Sequence, residues 1–325
     1  MSAPARSEPR FGLYFYAWYS RQKWAERPIA HRPAIGLYDS ADPAVIAWQA
    51  EQIARLGVDY VIFEMVSSRD WCFARTMDAV RQIVPRLGAA DIGYSFMLDV
   101  WVDREQPHEN SFEDMLGAIR GAGLLEGCVS RDGARPMLLA FGPEVAAAVQ
   151  IRSRHPELQL FFPVWIPSWG SFGELRLALS ERGADGHYDR FFGPAWDDTQ
   201  SVAEVLAPLG YLPLWQNTAQ LASLNGFAPV VPGYDDSLLE RPLQMARTLL
   251  RDHGRTMVEQ FCRALRTGAS DILIYSWNEY FEGSDIEPSR EHGDAFLLLA
   301  RDIMASIRRD GDLAAPAFPV LLDGR

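Results

Sequence analysis

Cysteine is scarce in this 325-residue chain: Cys72, Cys128 and Cys262 are odd in number, far apart, and in no CxxC pair. That excludes a disulfide framework and a structural zinc site, and it fits a reducing compartment. Long apolar runs are missing as well. No stretch approaches the ~20 apolar residues that cross a bilayer, and the opening MSAPARSEPR is polar with no apolar h-region. The expectation is a cytoplasmic protein without a membrane partner. Positive charge is short, with 31 Lys+Arg against 43 Asp+Glu and a net charge of −12, so nucleic acid and anionic lipid are poor partners. The six histidines form no HxH or HExxH spacing, which leaves no metal site to expect. GxGxxG, Walker and GxSxG sequences are absent too. Nucleotide cofactors and serine-hydrolase chemistry therefore have no support, and no cofactor is expected.

What is present is an ordinary globular composition, 48% hydrophobic and 23% charged, enough for a sizeable core. No repeat, low-complexity tract or linker divides the chain, so residues 1–325 read as one domain, with 1–10 expected to be disordered. Short apolar runs alternate with longer amphipathic ones. The strand candidates are 11–17, 58–65, 92–99, 136–141, 158–165, 188–194, 227–233 and 271–277. They lack clean alternation, as parallel strands buried on both faces do. Helical patterns fill 42–57, 72–87, 111–124, 144–154, 171–183, 240–268 and 292–309. The first of these has Asp42 as N-cap, Pro43 at the first helical position and Gly57 just past its end. Eight strands with intervening helices predict an α/β fold, a single closed (β/α)₈ TIM barrel; a doubly wound open sheet is the competitor. Residues 209–226 fit neither pattern and read as an insertion before the seventh strand.

The most informative segment is YSWNEYFEGSDIEPSREHGD at 275–294. It leaves an apolar strand and presents Asn278, Glu279, Glu282, Asp285 and Glu287. In a (β/α)₈ barrel, residues just past the strands' C-terminal ends face the active-site mouth. Glycoside cleavage needs two carboxyl groups in different protonation states. Glu279 and Glu282, three apart on a turn closed by Gly283, can point to one side, where repulsion raises one pKa. Glu282 is the residue expected to carry that rise. The bland alternative is a solvated acidic loop. Against it, Trp277, Tyr280 and Phe281 interleave with the acids, and flat apolar faces beside polar groups suit a sugar.

WNEYFEG followed by IEPSREHGD resembles the C-terminal signature of glycoside hydrolase family 99 and of related domains that accompany bacterial polysaccharide biosynthesis. YFYAWYS at 14–20, Trp24, the stretch 36–64 and VPGYDD at 231–236 are similar to that family's pattern as well, so the resemblance covers most of the chain, with 100–225 aligning only loosely. It implies a (β/α)₈ barrel that hydrolyses internal α-mannosides with retention and without a metal. It further implies that Glu279 deprotonates the substrate's own 2-hydroxyl, which attacks the anomeric carbon, while Glu282 serves as general acid and then base. The chain departs from the family at the end of the second strand, where Glu64 and Met65 replace an aromatic pair.

Several other residues join the expected site. Glu64 in YVIFEMV is either salt-bridged in the core or at the mouth, since a buried unpaired carboxylate is costly. Asp99 ends the third strand, with helix capping as its alternative role. Trp18, Trp165, Trp196 and Trp277 lie at or just past strand ends and can stack on sugar rings; Tyr16 and Tyr19 can bond hydroxyls, and Tyr234 and Asp235 follow the seventh strand. The expected partner is a carbohydrate or small glycoside, and oligomeric state is not legible. Two other readings stay open: a cytosolic biosynthetic enzyme using the pocket on a small glycoside or polar metabolite, and a non-catalytic glycan-binding barrel.

Overall fold

The computed structural model describes residues 8–100, 107–142, 145–164, 211–213, 226–239 and 248–311. The strands are β1 (Arg10–Phe15), β2 (Tyr60–Met65), β3 (Gly93–Asp99), β4 (Met137–Phe141), β5 (Gln159–Val164), β6 (Tyr211–Pro213), β7 (Phe227–Val230), β8 (Tyr234–Asp235), β9 (Thr248–Leu249) and β10 (Asp271–Ile274). The helices are α1 (Arg21–Trp24), α2 (Pro43–Leu56), α3 (Phe73–Ala89), α4 (His108–Gly121), α5 (Val145–Arg154), α6 (Arg255–Thr267) and α7 (Ala295–Asp310). One parallel sheet runs β6-β5-β4-β3-β2-β1-β10-β7, and β8 and β9 form a separate antiparallel pair.

Local sequence explains the element ends. The Asp42 carboxylate accepts from Ala44 N at 2.8 Å, Pro43 opens α2, and Gly57 closes it at φ 81°, as the sequence predicts. The helical pattern at 240–268 is shorter than expected. Among the described residues, 248–249 pair with β8, and Gly254 at φ 91° precedes α6; that left-handed backbone cannot continue a helix.

The sheet curls into a TIM-like half-barrel. Phe161 of β5 and Phe227 of β7 meet with ring centroids 4.8 Å apart although their strands are not neighbours in the order. The Cα atoms of β6 and β7 come within 8 Å, but no ladder joins them among the described residues. Seven of the eight expected runs are strands, and 188–194 lies outside the described residues. The place beside β5 is taken by Tyr211–Pro213, inside the stretch expected to be an insertion. Three residues carry almost no periodic signal, and Pro213 has no N–H to give a ladder, which suits an end strand.

Register sets which side chains enter the barrel. Gly12 pairs with Tyr60 and Tyr14 with Ile62; Ile62 pairs with Ser95 and Glu64 with Met97. Paired residues of parallel strands share a face, and alternate residues do too. Tyr14 and Tyr16, Ile62 and Glu64, Met97 and Asp99 therefore share the inner face, while Phe11 meets Phe261 of α6 on the outer one. At the N-terminal end the interior is plugged. Asp271, 1% exposed, is held by Arg10 at 2.7 Å and Arg131 at 3.1 Å, with Tyr60 donating at 3.0 Å. This satisfies a buried charge that would otherwise be costly. Above it a Cβ on Gly12 would meet Leu273 and Tyr60 atoms at 2.7 Å, so the middle is packed shut. Among the described residues, the C-terminal end of the sheet is the end left to receive a ligand.

Candidate active site

The chain leaves β10 at Ile274 and immediately folds back on itself. Ser276 N donates to Ser284 O at 2.9 Å, and Glu287 N donates to Trp277 O at 2.8 Å. Trp277 N donates to Tyr14 O at 2.8 Å, continuing the β1 edge one step beyond the sheet. Between these anchors, Tyr280–Glu282 make one turn of 3-10 helix that ends at Gly283, φ 56°. Glu279 is its N-cap: its carboxylate accepts from Phe281 N at 3.0 Å while its own N–H donates to the Ser276 hydroxyl at 2.8 Å. Glu282 accepts from the Tyr275 hydroxyl at 2.7 Å.

Beneath the turn lies a floor of polar contacts. Asn278 accepts from Tyr16 N at 2.8 Å and donates to Tyr16 O at 2.9 Å and to the Tyr38 hydroxyl at 3.0 Å. The Tyr19 hydroxyl donates to Asn278 O at 2.7 Å and accepts from Tyr280 N at 3.2 Å. Trp277 is fully buried, and its indole N–H donates to Gln49. Glu287 accepts from Tyr38 at 2.9 Å and from Gln49 at 2.8 Å. On the other flank Asp285 is held by His31 at 2.8 Å and Arg251 at 3.1 Å. Arg251 also donates to Gly283 O at 2.9 Å, and Gly283 directly follows Glu282. The solvated-loop alternative fails here, because Asp285 and Glu287 are 1% and 2% exposed.

Electrostatics ties four carboxylates to one place. Burial and then the charge of Glu282 push the Glu279 pKa well above the carboxylate range, against the Phe281 N–H, Lys23 and Arg27. Burial pushes Glu64 up as well, followed by Asp99 and Glu279; the Tyr16 hydroxyl opposes this, and Glu282 adds to it. The rise at Glu279 follows from its burial and the charge of Glu282, which outweigh the N–H bond from Phe281.

The sequence-predicted residues sort accordingly. Tyr16, Glu64, Asp99, Glu279 and Glu282 come together at the C-terminal end of the sheet. Glu64 is set apart from the Arg10–Asp271–Arg131 plug at the opposite end, which answers the alternative of a core salt bridge. Trp18 packs on Tyr16 with centroids 4.8 Å apart and carries Lys23 Nζ 5.1 Å above its ring. Tyr234 is buried, donates to Asp236 at 3.3 Å, and raises the pKa of Tyr275 by its charge. Asp235 accepts from Ser237 N at 2.9 Å and backs onto Gly283. Tyr19, Trp277 and Asn278, expected to face substrate, are buried, and their polar atoms bond to the protein. Trp165 and Trp196 lie outside the described residues. The sequence reading missed Tyr275 and Lys23. Tyr275 had a signal, since it continues the inward alternation of β10 through Asp271 and Leu273; Lys23 had none.

A curled parallel sheet flanked by helices is the architecture of a TIM-like barrel. No family model and no curated protein matches the chain. Solved structures do match. The GH99 endo-α-mannosidase from Bacteroides thetaiotaomicron in complex with Bis-Tris propane superposes with a TM-score of 0.65 at 16% identity, covering 92% of this chain and 98% of that one. A second structure of that enzyme gives 0.64 at 15% identity with the same coverage. A glycoside hydrolase-like protein gives 0.56 at 16% identity, covering 91% and 94%. The chain carries a GH99-like fold.

Among the described residues, no group of His, Cys, Asp and Glu is arranged to hold a metal ion, and no helix is long and apolar enough to cross a membrane.

Proposed function

We propose that this chain is a glycosidase or transglycosidase of the family-99 type, acting in the cytoplasm on an α-mannoside-like glycan or glycoside from the mouth of a closed (β/α)₈ barrel. One observation carries the reading: Glu279 and Glu282 share a single hydrogen-bonded turn at the C-terminal end of the sheet, near enough for the charge of one to raise the pKa of the other.

In the proposed reaction Glu279 takes the proton of the sugar 2-hydroxyl. The oxygen attacks the anomeric carbon as the bond to the leaving oxygen breaks, and Glu282 donates a proton to that oxygen. Water, deprotonated by Glu282, then opens the three-membered ring at the anomeric carbon while Glu279 returns its proton to the 2-oxygen. Two inversions give retention, and no protein nucleophile is needed. A base must be ionised to act, and burial works against that form of Glu279. Tyr275 orients Glu282, and Lys23 and Arg27 favour the ionised form of Glu279. Glu64, standing where the family pattern has a ring, favours a small polar glycoside over a long glycan as the natural substrate.

The test is glutamine replacement. Glu279→Gln and Glu282→Gln keep shape and remove ionisation, and each is expected to lower turnover of an aryl α-mannoside at least ~10²-fold. Glu282→Gln should recover on α-mannosyl fluoride, whose leaving group needs no proton, and Glu279→Gln should not. Parent rates in both variants would move the non-catalytic glycan-binding reading ahead.

A further inference from the structure

Glu64 is a mouth carboxylate to which the proposed reaction gives no catalytic task. It is 6% exposed, on the inner face of β2, and the charges that act on it, those of Asp99, Glu279 and Glu282, are all acidic. Lys23 and Arg27, by contrast, act on Glu279 from the segment after β1. A second feature sits just below. Tyr14, fully buried and next on the inner face of β1 beneath Tyr16, feels the charge of Glu64, and its hydroxyl has no hydrogen-bond partner. The carboxylate and the hydroxyl are both buried on the inner face, and the hydroxyl has no hydrogen-bond partner among the described residues. Such a setting is costly empty and is relieved by a ligand that brings positive charge and several N–H donors.

We propose that this mouth selects a glycoside bearing a primary ammonium group, held against Glu64. The inference rests on the glycosidase reading and names its substrate class. An ammonium offers three donors: Glu64 accepts one in a charge-assisted bond, and the Tyr14 hydroxyl oxygen can accept another. A neutral sugar hydroxyl in the same place would offer one donor and no charge to offset Glu64. Because the 2-hydroxyl is consumed in the proposed mechanism, the amine belongs elsewhere, on ring carbon 4 or 6 or on the aglycone.

The test is calorimetric binding to the full chain of four ligands. These are methyl α-mannoside, its 4-amino-4-deoxy and 6-amino-6-deoxy analogues, and 3-aminopropyl α-mannoside. At least one amine is expected to bind ~10-fold or more tighter than methyl α-mannoside, about the worth of one charge-assisted hydrogen bond. Which one it is tells whether the charge sits on the ring or on the aglycone. Glu64→Gln should bring the ratio to within about twofold, with far-ultraviolet circular dichroism unchanged. Glu64→Leu, which removes both acceptor oxygens, should do the same should the glutamine variant fold poorly. Amines that bind no tighter than the neutral sugar overturn the inference and leave the glycosidase reading standing. A preference that survives in both variants overturns the assignment to Glu64. Failure of all four ligands to bind, with Glu279→Gln and Glu282→Gln at parent rates, overturns both.

Discussion

Asn278 clasps the backbone of Tyr16 at two points, accepting its N–H at 2.8 Å and donating to its carbonyl at 2.9 Å. The clasp joins the end of β1 to the turn that carries Glu279 and Glu282. Asn278→Asp keeps the acceptor and loses the donor, leaving Tyr16 O and the Tyr38 oxygen short of a partner inside the protein. A loss of ~2–4 kcal/mol is expected in urea unfolding, the scale of buried groups left unpaired. A smaller loss than ~1 kcal/mol would mean that the clasp contributes little.

Glu287 makes stability depend on pH. Burial lifts its pKa to about 8, even though Tyr38 and Gln49 donate to it. Because the folded pKa lies above the unfolded value, its contribution is full in mild acid and is lost as pH rises from about 4.5 through about 8. Glu287→Gln should therefore flatten the fall of Tm between pH 5 and pH 9, as read by scanning calorimetry. An unchanged slope would contradict the assignment.

Lys23 and Arg27 both lower the pKa of Glu279. Removing Lys23 as Lys23→Met should raise that pKa, so the acidic limb of the kcat/KM profile should move to higher pH. Added salt should shrink the difference between parent and variant less than it does for exposed pairs, since Glu279 is buried. A limb that stays in place would show that another group sets it.

Arg251 and Asp285 should be coupled. Burial pushes Asp285 up, but Arg251 and His31 outweigh it and hold its carboxyl below the usual range. Arg251→Met leaves that buried charge short of its cation, at a cost of ~3–5 kcal/mol. The double variant Arg251→Met, Asp285→Asn should lose less than the two singles together, because it removes both charges. Arg251 also holds the carbonyl of Gly283, so kcat should fall in the single variant at temperatures where it remains folded. Additive losses would deny the coupling.

Much of this protein was written in its local sequence. Asp42, Pro43 and Gly57 bound α2 because capping and φ preference act within a few residues. Seven strand runs were legible because strands buried on both faces must be apolar throughout. The interleaved acids and aromatics of 277–287 marked the site because so many carboxylates beside large rings seldom serve as a solvated loop. The tertiary structure decided the rest. The raised pKa of Glu279 depends on its burial and on the charge of Glu282 beside it. Glu64 belongs to the mouth because the register of β1, β2 and β3 puts it on one face with Tyr16 and Asp99. Tyr19, Trp277 and Asn278 are tied to Tyr280, Gln49 and Tyr16, partners that arrive from elsewhere in the chain. Burial and charge coupling are sums over neighbours that only the folded chain brings together, and no spacing along the sequence carries them.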